Sequence, residues 1–146
     1  MPASTHANIF IWNIMRSKST EISTHGKNVL ALLKKSKTPL TAYDILGKLQ
    51  STGVKAPQTV YRALEALVER GLIHRIQTLG AFVACHNDDD DHGTQFAVCR
   101  KCNKVLELHD HRICNYISEI GKNIKFRIER EMLELIGVCE DCEKKS

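Results

Sequence analysis

Apolar residues recur at helical spacing through much of the first half of the chain. Three stripes with i, i+3/i+4 spacing predict three helices between Gly26 and Gly71. The first ends before Pro39, the second follows Thr41 as its N-cap, and the third begins at Pro57, which suits a first helical turn. This half of the chain is therefore predicted to be mainly helical.

Two strand-like runs follow, over 72–77 and 81–85, joined by the tight turn Thr78-Leu79-Gly80. Three helices followed by a hairpin is the element order of a winged helix-turn-helix domain. A further short helix is predicted near the N-terminus, over about residues 5–17. We assign residues 1–84 to the winged-helix domain.

The acidic run 87–91 is typical of a solvated linker. Beyond it, apolar and polar residues alternate more clearly. The pattern predicts a hairpin around a first pair of cysteines, a helix over 110–122 and a strand over 126–138. The fold class is therefore α+β, with a hinge over 85–92 and a second, α/β domain over 93–146.

Composition allows nucleic-acid binding without requiring it. The 146 residues carry a net charge of +4, and 42% of them are hydrophobic, enough for one domain or two small ones. Basic residues are frequent in the first half, and acids gather at Asp88 to Asp91 and beyond Glu129. The apolar run Ile9 to Met15 lacks the features of a secretory signal, and no run reaches membrane-spanning length. We therefore expect a cytoplasmic protein with reduced thiols and no membrane partner.

Two Cys-x-x-Cys pairs, Cys99/Cys102 and Cys139/Cys142, contain four of the six cysteines. Together they supply four thiolates, the ligand set of a closed structural zinc site. Two disulfides and a redox motif are the alternatives. Reduced thiols disfavour the first, and the position of Cys99 between strand-like runs disfavours the second. A closed site does no chemistry on a substrate, so function must lie elsewhere.

The third predicted helix carries a candidate DNA-reading surface. Its apolar stripe faces the core, so Tyr61 and Arg62 face outward in the helix half that contacts bases in this fold class. Arginine is suited to bidentate hydrogen bonds with guanine. An ordinary surface helix is the alternative. The candidate DNA-binding residues are Tyr43, Gln58, Thr59, Tyr61 and Arg62.

A second donor set lies on both sides of the hinge. It comprises His74, Cys85, His92 and Glu107. A mixed set of nitrogen, sulfur and oxygen ligands drawn from two domains would couple metal occupancy to domain orientation, which is the physical basis of a sensor. The alternative is a group of unrelated surface histidines and a core cysteine.

The combined motifs resemble the ferric uptake regulator family, and its zinc-responsive branch most closely. The resemblance covers residues from about 25 to the C-terminus. It is carried by residues 41–46, 59–64 and 71–75, by Cys85-His86, His92 and Glu107, and by the two cysteine pairs with Gly137-Val138 before the second.

The resemblance implies a homodimeric winged-helix repressor with a C-terminal α/β dimerisation domain. By resemblance, the paired cysteines hold structural zinc and His74, Cys85, His92 and Glu107 hold a regulatory zinc, giving two ions per subunit. The metal-loaded dimer would bind double-stranded operator DNA and repress zinc-uptake genes. Four protein ligands at the mixed site would leave no open position for catalysis, so we expect neither an enzyme nor a small-molecule substrate.

The chain departs from the family pattern in three places. Only His92 stands where iron-sensing members carry a dense histidine cluster, and a thiolate at Cys85 favours zinc over iron. The segment 23–27 lacks the family's Thr-x-Gln-Arg, and Ile9 to Met15 is unusually apolar. An iron-, manganese- or peroxide-responsive regulator of the same family stays an alternative. So does a zinc-stapled protein-interaction module without a DNA target.

Overall fold

A computed structural model describes residues 21–86 and 94–145. The predicted N-terminal helix, His92 and most of the predicted hinge lie outside these ranges. Among the described residues, no helix has the length and apolar character needed to cross a membrane.

The first described range, 21–86, contains a winged-helix domain, the fold class that the sequence predicts. Its sheet has the strand order β1-β3-β2, and both pairs of neighbouring strands are antiparallel. In chain order the elements are α1 (Thr24–Lys35), β1 (Leu40–Thr41), α2 (Ala42–Leu49), a 3-10 helix (Gln50–Thr52), α3 (Pro57–Glu69), β2 (Ile73–Ile76) and β3 (Ala81–Ala84).

Local signals determine where the second and third helices begin and end. Asp44 N–H donates to the Thr41 hydroxyl at 3.2 Å, and the Asp44 carboxylate accepts from Thr41 N–H at 2.9 Å, so α2 begins with a capping box. Hydrogen bonds from Thr41 lower the pKa of Asp44. Helix α3 begins at Pro57, and Gly71 follows its end with a φ of +69°, which favours glycine.

Residues 94–145 form a second, mixed domain. Its sheet has the order β5-β4-β6, in which β4 pairs antiparallel with β5 and parallel with β6. The elements are β4 (Thr94–Cys99), β5 (Val105–Leu108), α4 (His111–Asn123), β6 (Met132–Gly137) and α5 (Glu140–Glu143).

The predicted strand over 126–138 is wrong in its first half, because β6 begins only at Met132. After α4, Lys125 takes a φ of +55° and Phe126 N–H donates to the Gly121 carbonyl at 2.8 Å. The chain therefore turns back over the helix end, where Ile128 packs so closely that a Cβ on Gly121 would lie 2.9 Å from its Cδ1 atom. Pairing with β4 starts where Met132 lies opposite Thr94.

The wing sheet, β2 and β3, buries both of its faces. Side chains alternate along a strand, so Ile73 faces the helices and joins their core, whereas Ile76 faces the second domain. On that side Ile76 packs with Phe96 and Val98 of β4. The hairpin is therefore a layer shared between the two domains.

Candidate metal centres and DNA-binding surface

The paired cysteines converge at one end of the C-terminal sheet. Cys99 ends β4, Cys102 lies in the turn to β5, and Cys139 and Cys142 flank and enter α5. Their four Sγ atoms all lie within 4.8 Å of one another, and those of Cys102 and Cys139 are 3.7 Å apart. Zinc–sulfur bonds of about 2.3 Å place the sulfurs of a tetrahedral site about 3.8 Å apart. The arrangement therefore fits a zinc ion.

Backbone groups support the thiolate form at this cluster. Cys139 N–H donates to Cys99 Sγ at 3.3 Å, and this bond and others from neighbouring N–H groups lower the pKa of Cys99 to about 6. Hydrogen bonds with the sulfurs of Cys102 and Cys139 raise the pKa of Cys142 to about 12. The sulfurs thus share protons, which an ion would displace on binding. No disulfide joins any of the six cysteines, all of which lie in the described ranges.

Three residues of the mixed donor set also meet. One donor atom each from His74, Cys85 and Glu107 lies within 4.8 Å of the other two. His74 lies in β2 and Glu107 in β5, while Cys85 directly follows β3, where its N–H donates to the Leu72 carbonyl at 3.0 Å. The fourth predicted residue, His92, lies outside the described ranges. The structure therefore brings together donors from both domains.

The environment of His74 suits a metal ligand. Burial lowers the pKa of His74, nearby Glu107 opposes this effect, and Arg130 adds to it. A lowered pKa favours the neutral imidazole, which is the form that binds metal. The ring also lies against buried Phe96, with centroids 5.5 Å apart and planes inclined at 59°. Glu107 and Phe96, both on the C-terminal sheet, therefore help to hold the His74 imidazole in place.

The predicted DNA-reading residues lie on the outer faces of α2 and α3. Tyr43 is 78% exposed and Tyr61 48% exposed, and Gln58 and Arg62 are exposed as well. Thr59 differs, because it is half-buried in the first turn of α3. The surface is therefore accessible, as the helical pattern predicts.

Several contacts at the sites were not predicted from the sequence. His109 Nε2 lies 3.7 Å from Glu107 Oε1, so a second histidine stands beside the mixed donor set. Gln95 is 2% exposed, and its Nε2 donates to Cys114 Sγ at 3.1 Å. Alternation along β4 would assign Gln95 to one face of the sheet, but no sequence signal pairs it with half-buried Cys114 on α4. His111, like His109, is exposed.

The fold and the two donor sets define a winged-helix protein with a cysteine-clustered C-terminal domain. The chain matches the ferric uptake regulator family over residues 17–136, and it belongs to that family. Members of this family regulate transcription and are not enzymes.

Individual relatives and solved structures agree with this assignment. The chain is 27% identical over 131 residues to the zinc uptake regulation protein of Escherichia coli (strain K12), covering 88% of this chain and 77% of that protein. It is 31% identical over 107 residues to a ferric uptake regulation protein of Neisseria meningitidis, covering 73% of this chain and 74% of that protein.

Two solved structures extend the comparison. The crystal structure of holo XcZur is 30% identical, covers 94% of this chain and 99% of its own, and has a TM-score of 0.77. A zinc uptake regulator complexed with zinc and DNA has a TM-score of 0.81 at 24% identity, covering 99% of this chain and 98% of its own. At that identity the likeness supports the fold alone.

Proposed function

We propose that this protein is a zinc-responsive transcriptional repressor that binds operator DNA as a metal-loaded homodimer and controls zinc-uptake genes in the cytoplasm. The observation that carries the proposal is the meeting of His74, Cys85 and Glu107 across the domain junction. The similarity to the Escherichia coli zinc uptake regulation protein adds the metal and the regulated process.

Each subunit would hold two zinc ions at sites with different tasks. Cys99, Cys102, Cys139 and Cys142 would hold the structural ion, because their sulfurs lie within 4.8 Å of one another and one pair already has the 3.7 Å spacing of a tetrahedral site. His74, Cys85 and Glu107, with His92, would hold the regulatory ion. Zinc supplies no redox chemistry at either site. When bound, it would crosslink its ligands with a strength that depends on their geometry.

The regulatory site would act by selecting one orientation of the winged helix. His74 belongs to the wing hairpin and Cys85 directly follows it, whereas Glu107 belongs to the C-terminal sheet. An ion that needs all three donors binds only the arrangement in which they meet, so it shifts the population toward that arrangement. Residues 1–84 would move about the hinge over 85–92 relative to the domain over 93–146.

The DNA-facing surface would be the exposed side of α2 and α3. Arg62 would read a base, and Tyr61, Tyr43, Gln58 and Thr59 would contact the backbone or bases. Helix α3 begins at Pro57 without a side-chain cap from Ala56, so its N-terminus would be available to a DNA phosphate.

Dimerisation would use apolar residues that the subunit leaves exposed. Leu106 of β5 and Leu135 of β6 both lie opposite Ala97 of β4, so the three form one row on the sheet face away from the wing. Leu106 is 49% exposed and Leu135 46% exposed. Covering this row with a second subunit would remove apolar surface from water.

Cys85 distinguishes zinc sensing from the iron, manganese and peroxide alternatives. Sulfur is a soft ligand that favours zinc, whereas oxygen-rich sites favour harder ions. In Cys85→Ser, zinc-dependent operator binding should collapse. Binding that persists with manganese or ferrous ion in this variant would favour the alternatives.

The central experiment is an operator-binding titration at graded free zinc. One zinc per subunit should resist mild chelation and one should exchange, with operator affinity following the second. Operator binding that survives removal of the exchangeable zinc would contradict the proposal. Absence of DNA binding at low salt, with and without zinc, would favour the protein-interaction module instead.

A further inference from the structure

Glu134, on β6 of the C-terminal domain, joins that domain to the tip of the wing. We propose that Glu134 is a positioning residue that holds the wing hairpin in the orientation in which the junction donors meet. The inference rests on the proposed function in one respect, namely that this orientation is the one that binds DNA.

Both carboxylate oxygens of Glu134 accept hydrogen bonds from the turn between β2 and β3. Oε1 accepts from Gln77 N–H at 2.6 Å, and Oε2 accepts from Thr78 N–H at 3.0 Å and from the Thr78 hydroxyl. Hydrogen bonds to an ionised acceptor are about twice as strong as neutral ones. Three donors from one domain thus converge on a single side chain of the other.

The turn that binds Glu134 packs against the C-terminal sheet. Leu79, in the same turn, packs with Ile76 against Phe96 and Val98. Glu134 itself is half-buried. Partial burial raises the pKa of Glu134, but the bonds from Thr78 and Gln77 outweigh this effect and lower it overall, which favours the ionised form.

The register of the C-terminal sheet links Glu134 to the metal junction. Phe96 of β4 lies opposite Glu107 on one side and opposite Glu134 on the other, so the three form one row facing the wing. Glu107 meets His74 and Cys85, Phe96 contacts His74, and Glu134 binds the turn. The hairpin is therefore held near its base and at its tip.

Together with the packing of Ile76 on Phe96 and Val98, a second polar attachment restricts pivoting of the hairpin about the metal junction. If Glu134 and the regulatory zinc favour the same arrangement, each must strengthen the other by the same factor. Loss of the Glu134 bonds should therefore weaken zinc binding at the junction, although Glu134 is not a ligand there.

The test uses the full-length chain loaded at the cysteine site, with Glu134→Gln as the variant. The amide keeps the side-chain size but places an N–H group against a backbone donor. Backbone amides of Gln77 and Thr78 should exchange with solvent about tenfold faster or more. Junction zinc affinity, measured by chelator competition, should fall roughly five- to twentyfold, and operator binding should need more zinc by the same factor.

Three further variants make the result specific. Glu119→Gln, on the exposed side of α4, removes the same charge and should change nothing. Thr78→Val should reproduce part of the Glu134→Gln effect, whereas Thr78→Ser keeps the hydroxyl and should behave as wild type. In a Glu134→Ala background, Thr78→Val should have little further effect, because the acceptor of the bond that it removes is already gone.

Unchanged junction zinc affinity in Glu134→Gln would overturn the inference, even if the two amides exchanged faster, because Glu134 would then only cap the turn. If wild-type operator binding ignores zinc, the proposed function fails. Amide exchange and zinc affinity, which need no DNA, would still decide the role of Glu134.

Discussion

His74 of the wing and Phe96 of the C-terminal sheet are in ring contact across the domain boundary, 5.5 Å apart between centroids. Phe96 is 1% exposed, so its own position is determined by packing. A candidate metal ligand on one domain is thereby oriented by a rigid aromatic ring on the other.

Phe96→Leu should therefore impair the junction more than an ordinary core substitution does. Val98→Ala is the matched control, since Val98 lies in the same strand and cluster but has no ring contact with His74. Both variants should lower the free energy of unfolding by about 1–3 kcal/mol. Only Phe96→Leu should clearly reduce junction zinc affinity in chelator competition. Equal losses of junction zinc affinity in the two variants would show that reduced stability alone accounts for the effect.

Arg62 should read sequence as well as attract DNA. Arg62→Ala should cost about 1–3 kcal/mol of discrimination between the operator and single-base variants. Arg62→Lys keeps the charge but loses the bidentate geometry, so it should lose the discrimination while keeping the salt dependence of binding. The measurement is affinity for matched and mismatched duplexes over a salt series. Sequence preference that survives in both variants would remove Arg62 from base reading.

The cysteine cluster should behave as a structural site. Cys142→Ser should release one zinc per subunit and destabilise the chain by about 4 kcal/mol or more, because the fold and the ion are coupled. Cys114→Ser, which changes a cysteine outside the cluster, should keep both ions. Metal analysis and calorimetry of the two proteins check this. Retention of full zinc content in Cys142→Ser would contradict the assignment.

The sequence predicted the elements and the cysteine grouping better than it predicted the packing between the domains. Helical spacing is a local signal for the helices themselves. Thr41 and Pro57 are local signals for where two of them begin, and both helices begin there. The error at 126–131 arose because Ile128, one of the two apolar residues there, packs over Gly121 instead of pairing in a strand.

The bonds from Gln77 and Thr78 to Glu134 join residues more than 50 positions apart. Two of the three use backbone N–H groups, which carry no residue-specific signal. The Phe96 ring contact likewise depends on how two sheets stack. Such contacts follow from tertiary geometry, which neither periodicity nor motif spacing encodes.

Thr41→Ala should lower the free energy of unfolding by about 1 kcal/mol through loss of the α2 cap. Thr38→Ala, at a nearby exposed threonine outside the capping box, is the control. The folded-state pKa of Asp44 is lowered, so its contribution is full above its unfolded pKa of about 3.9 and is lost as pH falls through the folded value. The difference between wild type and Thr41→Ala in urea unfolding should therefore narrow at strongly acidic pH. If this difference in unfolding free energy widened at acidic pH, the result would contradict the capping box.

Because the wing sheet is buried on both faces, the stability of the junction should depend on temperature as well as on metal. Any separation of the domains wets Ile76, Phe96 and Val98, so re-closing carries a negative change in heat capacity. Apolar association weakens on cooling. The zinc concentration at which the repressor responds should therefore rise in the cold. Titration calorimetry over a range of temperatures would measure this change in the zinc concentration required.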